Sequence, residues 1–81
     1  MQLKDTVEMM NSVDYKERFK AEFYQLLIRL DSLTSMIIKW ENNMLDFDSK
    51  CSKETLENQV IFMKGYVYIL LLRSIIEGID L

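Results

Sequence analysis

Histidine and proline are absent from this chain of 81 residues, glycine occurs twice and cysteine once. Each shortage removes a class of structure or chemistry. With no histidine, GxSxG elbow, glycine-rich phosphate loop or cysteine pair, the usual catalytic constellations are missing, so no catalytic residue is assigned and an enzyme is not expected. The lone Cys51 permits neither an internal disulfide nor a cysteine metal cluster, the pattern of an intracellular protein. No cofactor is implied. Cations are also in deficit: ten Lys and Arg against thirteen Asp and Glu give a net charge of -3. That balance lacks the electrostatic footprint of a duplex-binding protein, so DNA is not an expected partner. A small anion is still admissible, because it needs only two or three local cations.

The opening MQLKDTVEMMNS has neither the apolar core nor the small-residue cleavage site of a signal peptide. The longest apolar stretch is cut by Lys64 and Arg73, which leave eight residues between them, against the roughly 20 of a membrane span. No membrane is therefore expected as a partner. An EF-hand frame places Asp46, Asp48 and Glu57 at positions 1, 3 and 12. It also puts Lys50 at a ligand position and Cys51 where a sharp turn needs glycine, so no metal is assigned.

Apolar residues make up 49% of the chain and charged residues 28%. With so few helix breakers, this composition indicates an all-α fold. A domain this small buries only about 60% of its unfolded surface alone, so self-association would be economical. Leu3, Val7 and Met10 stand at helical spacing and predict a short helix over 3–11. Asp14, with Glu17 three residues on, resembles a capping box and opens a long helix over 14–42. Phe19, Phe23, Leu26, Leu30, Leu33, Ile37, Trp40 and Met44 then follow a heptad a/d spacing, the mark of a helix packed along its length. Leu45 and Phe47, in the polar connection NNMLDFDSKCS, are expected to fold back over the hairpin's closed end. Ser52 as N-cap and Gly78 as C-terminal stop bound a third helix over 53–77. Leu56, Val60, Met63, Val67 and Leu70 make its complementary stripe. Together these features describe one domain over residues 1–81, an antiparallel helical hairpin with a short N-terminal helix.

In such a hairpin, residues whose numbers sum to about 94 lie level. One end then gathers Tyr15, Lys16, Arg18, Lys20 and Arg73. A second stripe on the third helix, Phe62, Tyr66, Ile69 and Ile76, is interrupted at Arg73 and has no partner within the hairpin, which predicts an oligomer. Within GYVYILLLRSIIEGI, Arg73 is flanked by leucine and isoleucine and is expected to be desolvated, and a buried charge requires a partner. That partner is Glu77, Glu22, a carboxylate of a second subunit, or an anionic ligand such as a phosphate.

The segments DYKERFKAEFYQLLIRLDSL, MIIKWENNMLDFDSKC, the spacing Q..FM..Y..IL..R and the closing IIEGIDL resemble a helical-hairpin family of small bacteriophage proteins. Phage anti-CBASS and anti-Thoeris nucleotide sponges belong to it. The resemblance implies a homo-oligomer, a hexamer, that sequesters cyclic oligonucleotide messengers of bacterial immunity without breaking a bond. It places a base-stacking tyrosine at Tyr15. The lysine expected further along the long helix falls at Leu30, with Arg29 beside it as a substitute. It matches a trinucleotide-binding arginine to Arg73, with the Ser74 hydroxyl adjacent. With Arg18 from the cation-rich end, the candidate ligand-binding residues are Tyr15, Arg18, Arg29, Arg73 and Ser74. The implied partners are a cyclic di- or trinucleotide or a cyclic ADP-ribose-type messenger, met in the cytoplasm of the infected bacterial host.

Overall fold

The computed structural model describes all residues, 1–81, and contains helices and no strand. A 3-10 helix, Leu3–Thr6, runs straight into a single α-helical turn, α1, Val7–Met10; α2 spans Tyr15–Glu41 and α3 spans Lys53–Glu77. The two long helices pack against each other as a hairpin, and the N-terminal turns lie on α2. The longest dimension, 43 Å, is about the length of a 27-residue helix at 1.5 Å per residue.

Local chemistry fixes the helix ends. The Asp14 side chain accepts from the Lys16 backbone N–H at 3.0 Å. Glu17 does not complete a capping box; it faces Lys20 at 3.8 Å instead. Ser52 caps α3 through the Thr55 N–H at 3.1 Å. At the far end Gly78 adopts φ 67, the left-handed conformation that glycine takes without steric cost. This lets the Ser74 carbonyl accept from both the Gly78 and the Ile79 N–H.

The register agrees with the expected sum. Lys53 Nζ faces Glu41 at 3.4 Å and Lys16 Nζ donates to the Gly78 carbonyl at 3.5 Å, both pairs summing to 94. The seam is buried at Phe19, Phe23, Leu26 and Leu70, and the chain turns after Gly78 to add Ile79 to the same cluster. Met63 and Val67 pack against it.

Three expectations are corrected. Leu3 and Val7 are exposed, while Thr6 is wholly buried. The 3-10 geometry has three residues per turn, so it carries the inward face out of α-helical phase. Thr6 is satisfied there, donating to the Leu3 carbonyl at 2.6 Å and accepting from Gln25 Nε2 at 2.9 Å. Phe47 does not plug the hairpin; only Leu45 of that pair is half-buried. The stripe ends before Met44, which is exposed because α2 stops at Glu41 and Asn43 turns the chain at φ 56.

Outside the seam, α3 is apolar and uncovered. Phe62, Ile75 and Ile76 are 77%, 78% and 73% exposed. Ile61, Tyr68, Ile69, Leu71 and Leu72 are exposed as well. Taken as a whole, α3 is long and apolar enough to cross a membrane by length and composition. The narrower count between Lys64 and Arg73 missed this, although both charges fall within the helix. The accessible surface, 6018 Å², is about 900 Å² above the roughly 5,100 Å² that scaling gives a compact chain of this mass.

Candidate functional site

At the open end of the hairpin, three side chains from two helices close a ring of hydrogen bonds. Arg73 Nε donates to Glu77 Oε2 at 2.9 Å, Arg73 Nη2 donates to the Tyr15 hydroxyl at 2.6 Å, and that hydroxyl donates to Glu77 Oε1 at 2.6 Å. Tyr15 opens α2, while Arg73 and Glu77 sit one turn apart near the end of α3. The antiparallel register brings them within reach. The Arg73 guanidinium also lies over the Phe19 ring, 5.0 Å from its centroid, in the geometry of a cation–π contact.

The expectation of a desolvated Arg73 is corrected: its side chain is 41% exposed. Arg73 lies on the flank of α3 beside α2, where one edge of the guanidinium faces water. Of the two carboxylates of this chain left open by sequence, Glu77 is the one taken. Glu22 lines the adjoining depression without bonding to Arg73.

These contacts set the protonation states. The Tyr15 hydroxyl bond holds the Glu77 carboxyl below its ordinary range, and Arg73 adds to the effect. Tyr15 is pushed above the usual tyrosine value, chiefly because its proton is held by Glu77. Glu77 likewise raises Arg73. A cation, a phenol and an ionised carboxylate therefore coexist at neutral pH.

A depression of about 300 Å³ beside the ring is lined by Met10, Tyr15, Arg18, Phe19, Glu22 and Arg73. The structure thus brings Tyr15, Arg18 and Arg73 together. Arg18 spends one donor on the Ser12 carbonyl at 2.8 Å, which fixes the link before α2. Ser74 is turned away: it is buried, and its hydroxyl donates to the Leu71 carbonyl at 2.6 Å. Arg29 lies 14 residues beyond Tyr15, about 21 Å along the helix, and lines a separate depression of about 570 Å³ with Leu26, Leu33, Met36 and Met63. It enters none of the chain's ion pairs.

Sequence reasoning named Glu77 only as a possible partner of Arg73 and missed its bond to Tyr15. The register held the signal, since Tyr15–Glu77 and Phe19–Arg73 both sum to 92, two short of the level pairs and within side-chain reach across the seam.

The sequence model of the Sequestin family matches residues 13–75. The chain belongs to the Sequestin family. The match fits the resemblance to the phage nucleotide sponges. The Sequestin span takes in Tyr15, Arg18, Arg29, Arg73 and Ser74 and ends short of Glu77. No curated protein and no solved structure shows significant similarity to the chain.

Proposed function

We propose that this protein is a phage anti-defence protein that binds and sequesters cyclic oligonucleotide immune messengers, of the anti-CBASS or anti-Thoeris sponge kind, without degrading them. The observation that carries this reading is the pairing of the exposed Tyr15 ring with the Arg73 guanidinium in a member of a family named for sequestration. A nucleotide needs a π-face on which to stack its base and a fixed cation for its phosphate, and the two side chains supply both. The ring's carboxylate is held ionised by two donors, the reverse of what a general acid needs.

The depression beside Tyr15, about 300 Å³, is at the lower end of small-ligand sites, which run to about 1,000 Å³. A cyclic di- or trinucleotide, or a cyclic ADP-ribose-type messenger, then needs walls from another subunit. Arg29, too distant from its own Tyr15, is assigned to such a neighbour's contribution. The uncovered face of α3 supports a homo-oligomer, a hexamer by family resemblance. Gly65 lies within that face with open space around it. A mid-helix glycine costs about 1 kcal/mol relative to alanine, and its use here fits close approach by a second helix. Lys64 and Arg73 would be costly against lipid, so the face is assigned to protein and the site of action to the host cytoplasm.

A second reading has its own observation: Glu77 already neutralises Arg73, as it would in a hairpin that binds no ligand. Calorimetry of the folded protein against cyclic di- and trinucleotides and cyclic ADP-ribose isomers separates the two. Binding with intact ligand recovered after denaturation supports sequestration; no binding across the panel leaves the structural hairpin.

A further inference from the structure

The Arg73 and Tyr15 donors point at a single acceptor, and that acceptor belongs to the protein. Each Glu77 oxygen takes one bond, Oε2 from the guanidinium and Oε1 from the phenol, at 2.9 and 2.6 Å. A phosphodiester presents the same features, two terminal oxygens sharing one negative charge, and arginine's planar fork accommodates either anion. We propose that Glu77 is a resident competitor: it occupies the anion position in the empty protein, and a phosphodiester binds by exchanging with it. The identity of the ligand rests on the function proposed above; the exchange rests on the ring itself.

The arrangement makes exchange feasible and selective. Glu77 lies in the last turn of α3 with its side chain 31% exposed, so it can swing into water without opening the core. The local charge is unchanged, since one monoanion replaces another on Arg73. The outgoing carboxylate is tethered to the same helix, so its effective concentration is in at least the millimolar range of short linkers. A small anion with nothing else to offer is held off at ordinary cellular levels. A ligand that also stacks on Tyr15 brings the extra interaction needed to displace the carboxylate, so Glu77 sets the specificity of the site.

The test uses inorganic pyrophosphate, titrated by calorimetry into the full chain as wild type, Glu77→Gln and Glu77→Gln with Arg73→Ala, and followed in the first two also by the Arg73 Nε–H resonance. Glu77→Gln is expected to bind pyrophosphate on the order of tenfold more tightly than wild type, as a charge-assisted competitor is replaced by a neutral one. The gain should vanish when Arg73→Ala is added. In wild type, the Glu77 carboxyl carbon should move toward its solvent-exposed shift as pyrophosphate binds, a readout that needs no variant to fold. Equal or weaker binding by Glu77→Gln, a Glu77 carbon that stays in place, or no pyrophosphate binding by either protein overturns the exchange. If pyrophosphate exchanges with Glu77 but no cyclic nucleotide binds, the messenger reading is lost and the exchange stands. Nucleotide binding without movement of Glu77 has the opposite meaning.

Discussion

Tyr15 connects the two ends of the chain, and Glu77 sets the environment of its hydroxyl. Because Glu77 holds its proton, Tyr15 should ionise above the ordinary tyrosine range. Alkaline absorbance titrations of wild type and Tyr15→Phe should differ by a step that lies above the ordinary tyrosine range. The linkage signs are opposite for the two groups. Glu77 has its folded pKa lowered, so its contribution is present above the ordinary glutamate value of about 4.3 and is lost as pH falls through the folded pKa. Tyr15 has its folded pKa raised, so its contribution is present below about 10 and is lost as pH rises through the folded pKa. The melting-temperature difference between wild type and Glu77→Gln should therefore be greatest near neutrality and vanish in acid. It should also be small, since the ring is at the surface and screened by solvent. For ligand, Arg73→Ala should abolish most cyclic trinucleotide binding in calorimetry while the assembled mass is retained. Loss of assembly instead would mark Arg73 as structural.

Among the elements, α3 has two unlike faces. Leu70 is wholly buried in the seam, and Leu70→Ala should cost about 2–5 kcal/mol in denaturant unfolding. Gly65 tests the outer face. In an isolated protomer Gly65→Ala meets no atom within 4 Å and should stabilise the helix by about 1 kcal/mol. In an assembly crossing at Gly65 the same methyl group should raise the dissociation constant, measured by sedimentation over a dilution series. The long helices were legible in the sequence because their information is local. Asp14, Ser52 and Gly78 act within a turn of themselves, and the heptad stripes repeat at a fixed period. Thr6 was not legible, because a few residues of 3-10 geometry shift which side faces inward. Nor was the exposure of Phe47, since an irregular connection has no period to read. At the site, the residues that come together followed from hairpin register, whereas Arg73's choice of Glu77 over Glu22 depended on side-chain direction. The inward turn of Ser74 was readable in hindsight: Val67, Leu70 and Ser74 continue the seam's alternation of three and four.

For the whole molecule, a chain of 9.7 kDa with an apolar helix outside its own core should sediment as an oligomer in aqueous buffer without detergent. A monomer by light scattering would remove both the assembly and any ligand site built between subunits. The Tyr15 ring has a further consequence, for how the protein opens. Its bonds span 58 and 62 positions in sequence, and with the Lys16–Gly78 bond, also 62 positions apart, they close the widest loops joined by a side-chain bond. The hairpin can zip from its connection near Phe47 through contacts of progressively greater separation, and the ring waits for the final turns. By the same token it should be the first part released when the native state breathes, taking Ile79 with it. Amide hydrogen exchange at residues 15–19 and 74–79 should then be faster than at the centre of the seam. A ligand bound at the ring should slow exchange at both chain ends together, by the factor its concentration over its dissociation constant sets. The surface proposed to capture the ligand would thus also act as the clasp of the hairpin.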